Sequence, residues 1–280
     1  MKLLRFGKFG KEKPGIIDKD GKIRDLSSHI TDINGETITS ESLKKISTID
    51  LSSLPIVPNN TRLGACVGNI GKFLCIGLNY SDHAAESGMP VPGEPILFSK
   101  ATSAVVGPND NVEIPKNSSE TDWEVELGIV IGKKAKYINE NEAENYIAGY
   151  CVINDVSERE FQIKREGQWT KGKSCDTFGP TGPYLVTKDE IEDVQNLSMY
   201  LEVNGKKMQN GSTNTMIFSA NHIVYYLSQF MSLHPGDVIA TGTPPGVGLG
   251  MKPPVFLKAG DVMKLGIEGL GEQQQTCIQA

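Results

Sequence analysis

Between residues 73 and 241 the chain repeats short apolar runs closed by polar, glycine-rich turns, at 73–77, 95–98, 125–131, 147–153, 197–203 and 237–241. Short apolar runs bounded by turn residues predict strands. Helical spacing is rarer, and its best examples are 140–148, 158–165 and 219–231. Before residue 65 the pieces are shorter: 2–6 and 15–18 alternate like strands, and Asp20-Gly21 and Asn34-Gly35 are hairpin signals. The stretch 40–51 has helical spacing with Ser40 as its N-cap. Pro55, Pro58 and Asn59-Asn60 then break the pattern. The reading is a β-rich α+β chain with a small N-terminal domain over 1–65 and a main domain over 66–280.

Composition narrows the functional classes. With 280 residues, 38% of them hydrophobic, the chain can bury a real core, which excludes disorder as its main state. The 30 glycines and 15 prolines disfavour an all-helical bundle. Twenty-eight Lys and Arg against 34 Asp and Glu give a net charge of −6, with no basic stripe to suggest nucleic acid. No run reaches the roughly 18 apolar residues of a membrane span. The opening MKLLRFGKFGKEKPG lacks a secretory apolar stretch of roughly 7–15 residues, so a cytoplasmic protein is expected. Five scattered cysteines without a CxxC pair are expected to be reduced thiols, most of them buried.

Candidate chemistry starts in Asp122-Trp123-Glu124-Val125-Glu126. Strand side chains alternate, so Glu124 and Glu126 share a face at about 6–7 Å, and Asp122 would join them. Carboxylates this close repel, and a shared cation relieves the repulsion. An acidic, solvated strand face is the competing reading, and it is the commoner one for an isolated ExE. A second apolar run ends at Asp155, which could instead be a turn or cap residue before the helix near Glu158. Oxygen ligands without Cys or His pairs favour a hard divalent ion, Mg²⁺ first, with Mn²⁺ or Ca²⁺ as alternatives. His83 and Glu86 sit at i and i+3 on a helix-like start, where the carboxylate could orient the imidazole as a general base. Lys100 and Lys173 follow as candidate anion-binding groups, against the ordinary reading of solvated lysines. The turn from Thr241 to Gly248 fits neither a Walker motif nor GxGxxG, but its amides and the Thr243 hydroxyl could hold a carboxylate.

In order, these pieces are GLNYSDHAAE, ILFSKATSAVVGPND, DWEVELGIVIG, GYCVINDVSERE, TKGKSCDTFGP and GDVIATGTPPGVG. Together they resemble the fumarylacetoacetate hydrolase family over roughly residues 70–270, with WTKGKSCDTFGPTGP most like bacterial sugar-acid and diketo-acid members such as 2,4-diketo-3-deoxy-L-fuconate hydrolase and ureidoglycolate lyase-type proteins. The resemblance implies a mixed β-sandwich roll, a small N-terminal domain, a divalent cation and a homodimer. It implies that Glu124, Glu126 and Asp155 hold the metal, that His83 and Glu86 form the acid–base pair, and that Lys173 stands beside the ion. Lys100, Arg159, Gln162 and Thr243 match positions that contact substrate or support the site. Longer members carry a further metal aspartate where this chain has Ile76, which points to a substrate smaller than fumarylacetoacetate.

The implied reaction is cleavage of a C–C bond in a small anionic 2,4-dioxo acid through a metal-bound enolate. Lysis of ureidoglycolate, or decarboxylation or isomerisation of an oxo acid, would use the same groups. A binding module with a structural Ca²⁺ is the alternative of a different class, but it would need neither a general base nor anion-binding lysines.

Overall fold

The apolar runs that do not alternate are strands covered on both faces. In the computed structural model, which describes residues 1–82 and 90–280, strand Val125–Ile131 lies between Ile147–Asn154 and Val238–Ala240. Val125, Leu127, Ile129 and Ile131 enter one core, while Val130 enters another. The same two-residue period sends Leu74 and Ile76 to the first core and Phe73 and Cys75 to the second. A sheet buried on both sides needs no polar face, so its strands are apolar throughout.

Ten strands form this sheet among the described residues. The hydrogen-bonded order is Ile23–Asp25, Lys13–Ile17, Lys2–Phe6, Gly179–Thr187, Ile147–Asn154, Val125–Ile131, Val238–Ala240, Phe73–Gly77 and Ile96–Lys100. Val105–Val106 runs parallel to the start of Gly179–Thr187, and Val238–Ala240 runs parallel to Phe73–Gly77, so the sheet is mixed. The first core is closed by helix Ala220–Phe230 and by a five-stranded sheet of Lys206–Ser212, Ser198–Val203, Val262–Ile267, Gly271–Gln279 and Val112–Ile114. The second is closed by residues such as Leu26, Ile33, Ile38, Ile46 and Cys66. The N-terminal strands lengthen the main sheet, with Leu3 paired to Leu185. Among the described residues the chain is thus a β-rich α+β fold of two large packed sheets, a two-stranded pairing of Thr121–Asp122 with Ser157–Glu158, and few helices.

Local differences from the sequence reading have simple causes. Thr39, not Ser40, caps helix Ser40–Ile46, because its side chain accepts from the Ser42 amide. Asp20-Gly21 does turn a hairpin between Lys13–Ile17 and Ile23–Asp25, whereas Asn34-Gly35 makes a local turn in which Thr37 N donates to the Asn34 carbonyl. The expected helix at 140–148 is a 3-10 helix over Glu140–Tyr146, after which apolar Ile147 and Ala148 are drawn into the sheet. All five cysteines are free thiols and four are buried.

Ile129→Ala, in mid-strand and fully buried, should lower the unfolding free energy by about 2–5 kcal/mol. Ile163→Ala, at a side chain 50% exposed, should change it by no more than about 0.5 kcal/mol. Urea midpoints at constant slope read both, and a loss under about 1 kcal/mol at Ile129 would contradict the two-faced sheet.

Candidate metal and active site

Strand pairing brings the acids together. Ile153 pairs with Glu126 and Asn154 with Val125, so the next residue, Asp155, emerges beside Glu124 and donates its N–H to the Glu124 carbonyl at 2.9 Å. One carboxylate oxygen each from Glu124, Glu126 and Asp155 lie within 4.8 Å of one another, and all three residues are buried.

The surrounding charges do not balance. Lys173 Nζ lies 2.8 Å from Glu124 Oε2 and 2.8 Å from Asp155 Oδ2. Lys100 pairs with the other oxygen of Asp155 and donates to the Val156 carbonyl. Arg159 Nη2 bridges Asp122 at 2.8 Å and Glu124 at 2.7 Å. Among the described residues, three cations against four carboxylates leave one negative charge. It falls on Glu126, which pairs with no Lys or Arg among the described residues and accepts only the Gly242 N–H, at 2.8 Å.

Titration follows from that inequality. Burial, then the Asp155 and Glu124 charges, push Glu126 well above the ordinary 4.5. Burial also pushes Glu124 up, but Lys173 and Arg159 more than reverse it and hold the carboxyl at about 2. Burial favours a neutral Lys173, yet Asp155 and Glu124 keep it protonated above the usual lysine range. An all-oxygen, buried, electron-rich donor set short of one positive charge fits a hard divalent cation.

Each supporting residue has a traceable local cause. Glu158 caps helix Arg159–Ile163, which presents Arg159 and Gln162, and Arg159 Nη1 donates to Gln162 Oε1 at 3.0 Å. Helix Thr170–Lys173 packs against that turn because Gly172 has no side chain: a Cβ there would stand 2.3 Å from the Glu158 carbonyl oxygen. That close approach delivers Lys173. Lys100, expected as an anion-binding candidate, is fully buried under Asp155 and lies outside the cavity lining. The turn after Thr241 does hold carboxylates, but they are the protein's own. Gly242 N donates to Glu126, while Gly248 N and Leu249 N donate to Asp122 at 2.7 and 2.9 Å. The Thr243 hydroxyl donates to the Val125 carbonyl at 2.9 Å. His83 and Glu86 lie outside the described residues.

Above the acids is a cavity of about 810 Å³, lined by Glu124, Glu126, Arg159, Gln162, Lys173 and Thr243 on its polar side. Ile76 is in its wall. So is Leu78, held at φ +53°, a strained conformation for leucine. Asn79 fixes that turn by donating to the Thr241 and Phe218 carbonyls. Sequence reasoning placed Asp122 with the acids but gave it no function, and it missed Asn79 and Trp169. Their roles depend on partners far along the chain.

The charge imbalance gives opposite effects for two similar substitutions in metal-free protein. Glu124→Gln should destabilise by about 3–5 kcal/mol, because Lys173 and Arg159 lose a buried partner. Glu126→Gln should be neutral or stabilising, because it removes a repelled carboxyl; denaturant titration of both compares them, and equal losses would refute the assignment. Because Glu126 must shed its proton to hold an ion, affinity for Mg²⁺ should rise as pH climbs from about 4.5 toward the raised value, with proton release. Calorimetry in buffers of different ionisation enthalpy detects that release. Glu124 runs the other way: its stabilisation is present above pH 4.5 and fades as pH falls toward about 2.

Comparison with known proteins agrees with this architecture. The model for the fumarylacetoacetate hydrolase C-terminal domain matches residues 72–278. A Burkholderia lata protein whose name specifies no substrate is 60% identical over 276 residues, 98% of each chain. Fumarylacetoacetate hydrolase from the psychrophile Exiguobacterium antarcticum superposes with a TM-score of 0.90 at 37% identity, over the full length of both chains. A 2-hydroxyhepta-2,4-diene-1,7-dioate isomerase from Mycobacterium marinum does so at 0.78 and 32% identity, covering 100% of this chain and 98% of that one. The chain belongs to the fumarylacetoacetate hydrolase family, whose members include hydrolases and isomerases.

Proposed function

We propose that the protein is a divalent-metal-dependent hydrolase that cleaves a C–C bond in a small 2,4-dioxo acid, with Mg²⁺ the favoured ion. The observation that carries this reading is the buried trio of Glu124, Glu126 and Asp155, which with Asp122 outnumbers its described cations by one, and whose Glu124 and Glu126 line a cavity of about 810 Å³. These three residues would hold the ion, which when bound polarises the oxo acid and stabilises negative charge. A site missing positive charge has room for an anionic substrate only once the ion is present.

The chain's own groups divide the remaining work. His83, oriented by Glu86, takes a proton from water, and the resulting hydroxide adds to the C4 carbonyl carbon. The C3–C4 bond breaks, its electron pair passes to the pyruvate fragment, and protonation at C3 gives pyruvate and a carboxylic acid. Lys173, kept protonated by Asp155 and Glu124, opposes the charge that develops on that fragment. Arg159 and Gln162 orient the carboxylate end. Isomerisation of an oxo acid is the second reading, supported by similarity to the Mycobacterium marinum isomerase. The family resemblance also supports a homodimer. Among the described residues no helix is long and apolar enough to cross a membrane.

The test is pyruvate release from short 2,4-dioxo acids with Mg²⁺ or Mn²⁺, then with EDTA. Release should depend on the metal, vanish in Glu124→Ala and fall by at least about 10²–10⁴ in His83→Ala. Release that survives EDTA would refute the metal-dependent reading, and isomer formation without pyruvate would favour the second one.

A further inference from the structure

Besides its acidic floor, the cavity has an apolar wall of opposite chemistry. Phe98, Ile163, Trp169, Val247, Leu249 and Met251 line it. Ile163 is 50% and Leu249 37% exposed, so apolar surface stands open to water at the mouth of a concave site.

This wall is built into the fold. The Trp169 ring lies against Gly77, where a Cβ would come within 2.6 Å of Cζ3. Its ring meets Phe98 edge to face, with centroids 5.3 Å apart at 63°. Phe98 in turn sits under Lys173, whose Nζ is 5.1 Å from the ring centroid. The aromatic surface therefore begins one side chain from the cation that faces the reacting end.

Polar groups of the lining are engaged at the floor. Arg159 serves Asp122 and Glu124, Gln162 Oε1 accepts from Arg159, and the Thr243 hydroxyl donates to Val125 while accepting from Gln209. Among the described residues, Lys252, which is exposed, is the remaining cation of the lining. A hydroxylated arm would give up water for a surface that returns few hydrogen bonds, whereas an alkyl or aryl arm would bury apolar area.

We propose that the acyl arm of the substrate is an apolar alkyl or aryl group lying against Trp169 and Phe98, and that these rings set substrate choice. The proposal rests on the dioxo-acid reading above. Its test compares kcat/KM for acetylpyruvate, longer acylpyruvates and benzoylpyruvate with that for hydroxylated and carboxylate-ended 2,4-dioxo acids. Wild type should gain about fourfold per added methylene until the wall is covered. Trp169→Ala should cut the benzoyl-to-acetyl ratio at least about tenfold, and Trp169→Phe should restore most of it. Gly77→Ala, which displaces the ring without removing it, should lower the same ratio. Preference for the hydroxylated arm overturns the proposal, as does preference for the carboxylate-ended arm, which would assign the arm to Lys252. A binding measurement separates this proposal from the reaction it rests on. With Mn²⁺ present, phenylpyruvate should bind more tightly than pyruvate by calorimetry, and Gly77→Ala should erase the difference, even if no dioxo acid is cleaved. Equal affinity for the two ligands in wild type overturns the wall assignment.

Discussion

Four carboxylates and three cations are buried within one set of contacts, and the charge left over governs the site. Lys173, Lys100 and Arg159 satisfy Glu124, Asp155 and Asp122. Glu126 is left with a backbone amide and two repelling neighbours, which the Lys173 charge offsets only in part. A lone ionised carboxylate in such a place is costly and is normally protonated or neutralised by an added cation. Among the described residues, the cations that could have completed the balance are held by Asp155, Glu124 and Asp122, so an added cation is the natural source of the missing charge. That constraint gives Glu126 a different character from its neighbour two residues away, although the two look alike in the sequence.

The fold exists around this site in a specific way. A sheet covered on both faces positions Val125–Ile131 and Ile147–Asn154 rigidly, so Glu124, Glu126 and Asp155 meet through strand register rather than loop flexibility. The turn after Thr241 then closes the site with backbone amides instead of side chains. By binding both Arg159 and the Gly248 and Leu249 amides, Asp122 joins the charged floor to the apolar wall. Chemistry at one end and apolar surface at the other are thereby fixed relative to each other.

The acids were legible because strand alternation puts Glu124 and Glu126 on one side, and because an apolar run ending in Asp155 is a local signal. Their partners were less legible. Lys100 after an apolar run reads equally as a surface lysine or a ligand-binding one, and only its burial beneath Asp155 decides. Asp122 meets the Gly248 amide across 126 residues of sequence, a pairing that no local pattern encodes. Trp169, just before helix Thr170–Lys173, needs Gly77 at the end of strand Phe73–Gly77 to leave space for its ring. The strands were read well because their apolar runs are dictated by burial on both faces. The 140–148 segment reads as helix from its spacing, but Ile147 and Ala148 gain more by entering the sheet.

The most direct test of the central claim is titration of metal-free protein with Mn²⁺, followed by electron paramagnetic resonance, in wild type and in Asp155→Asn. The account predicts one tightly bound ion per chain in wild type and loss of that binding in the variant. Wild type that binds no ion, or a variant that binds as wild type does, would contradict it.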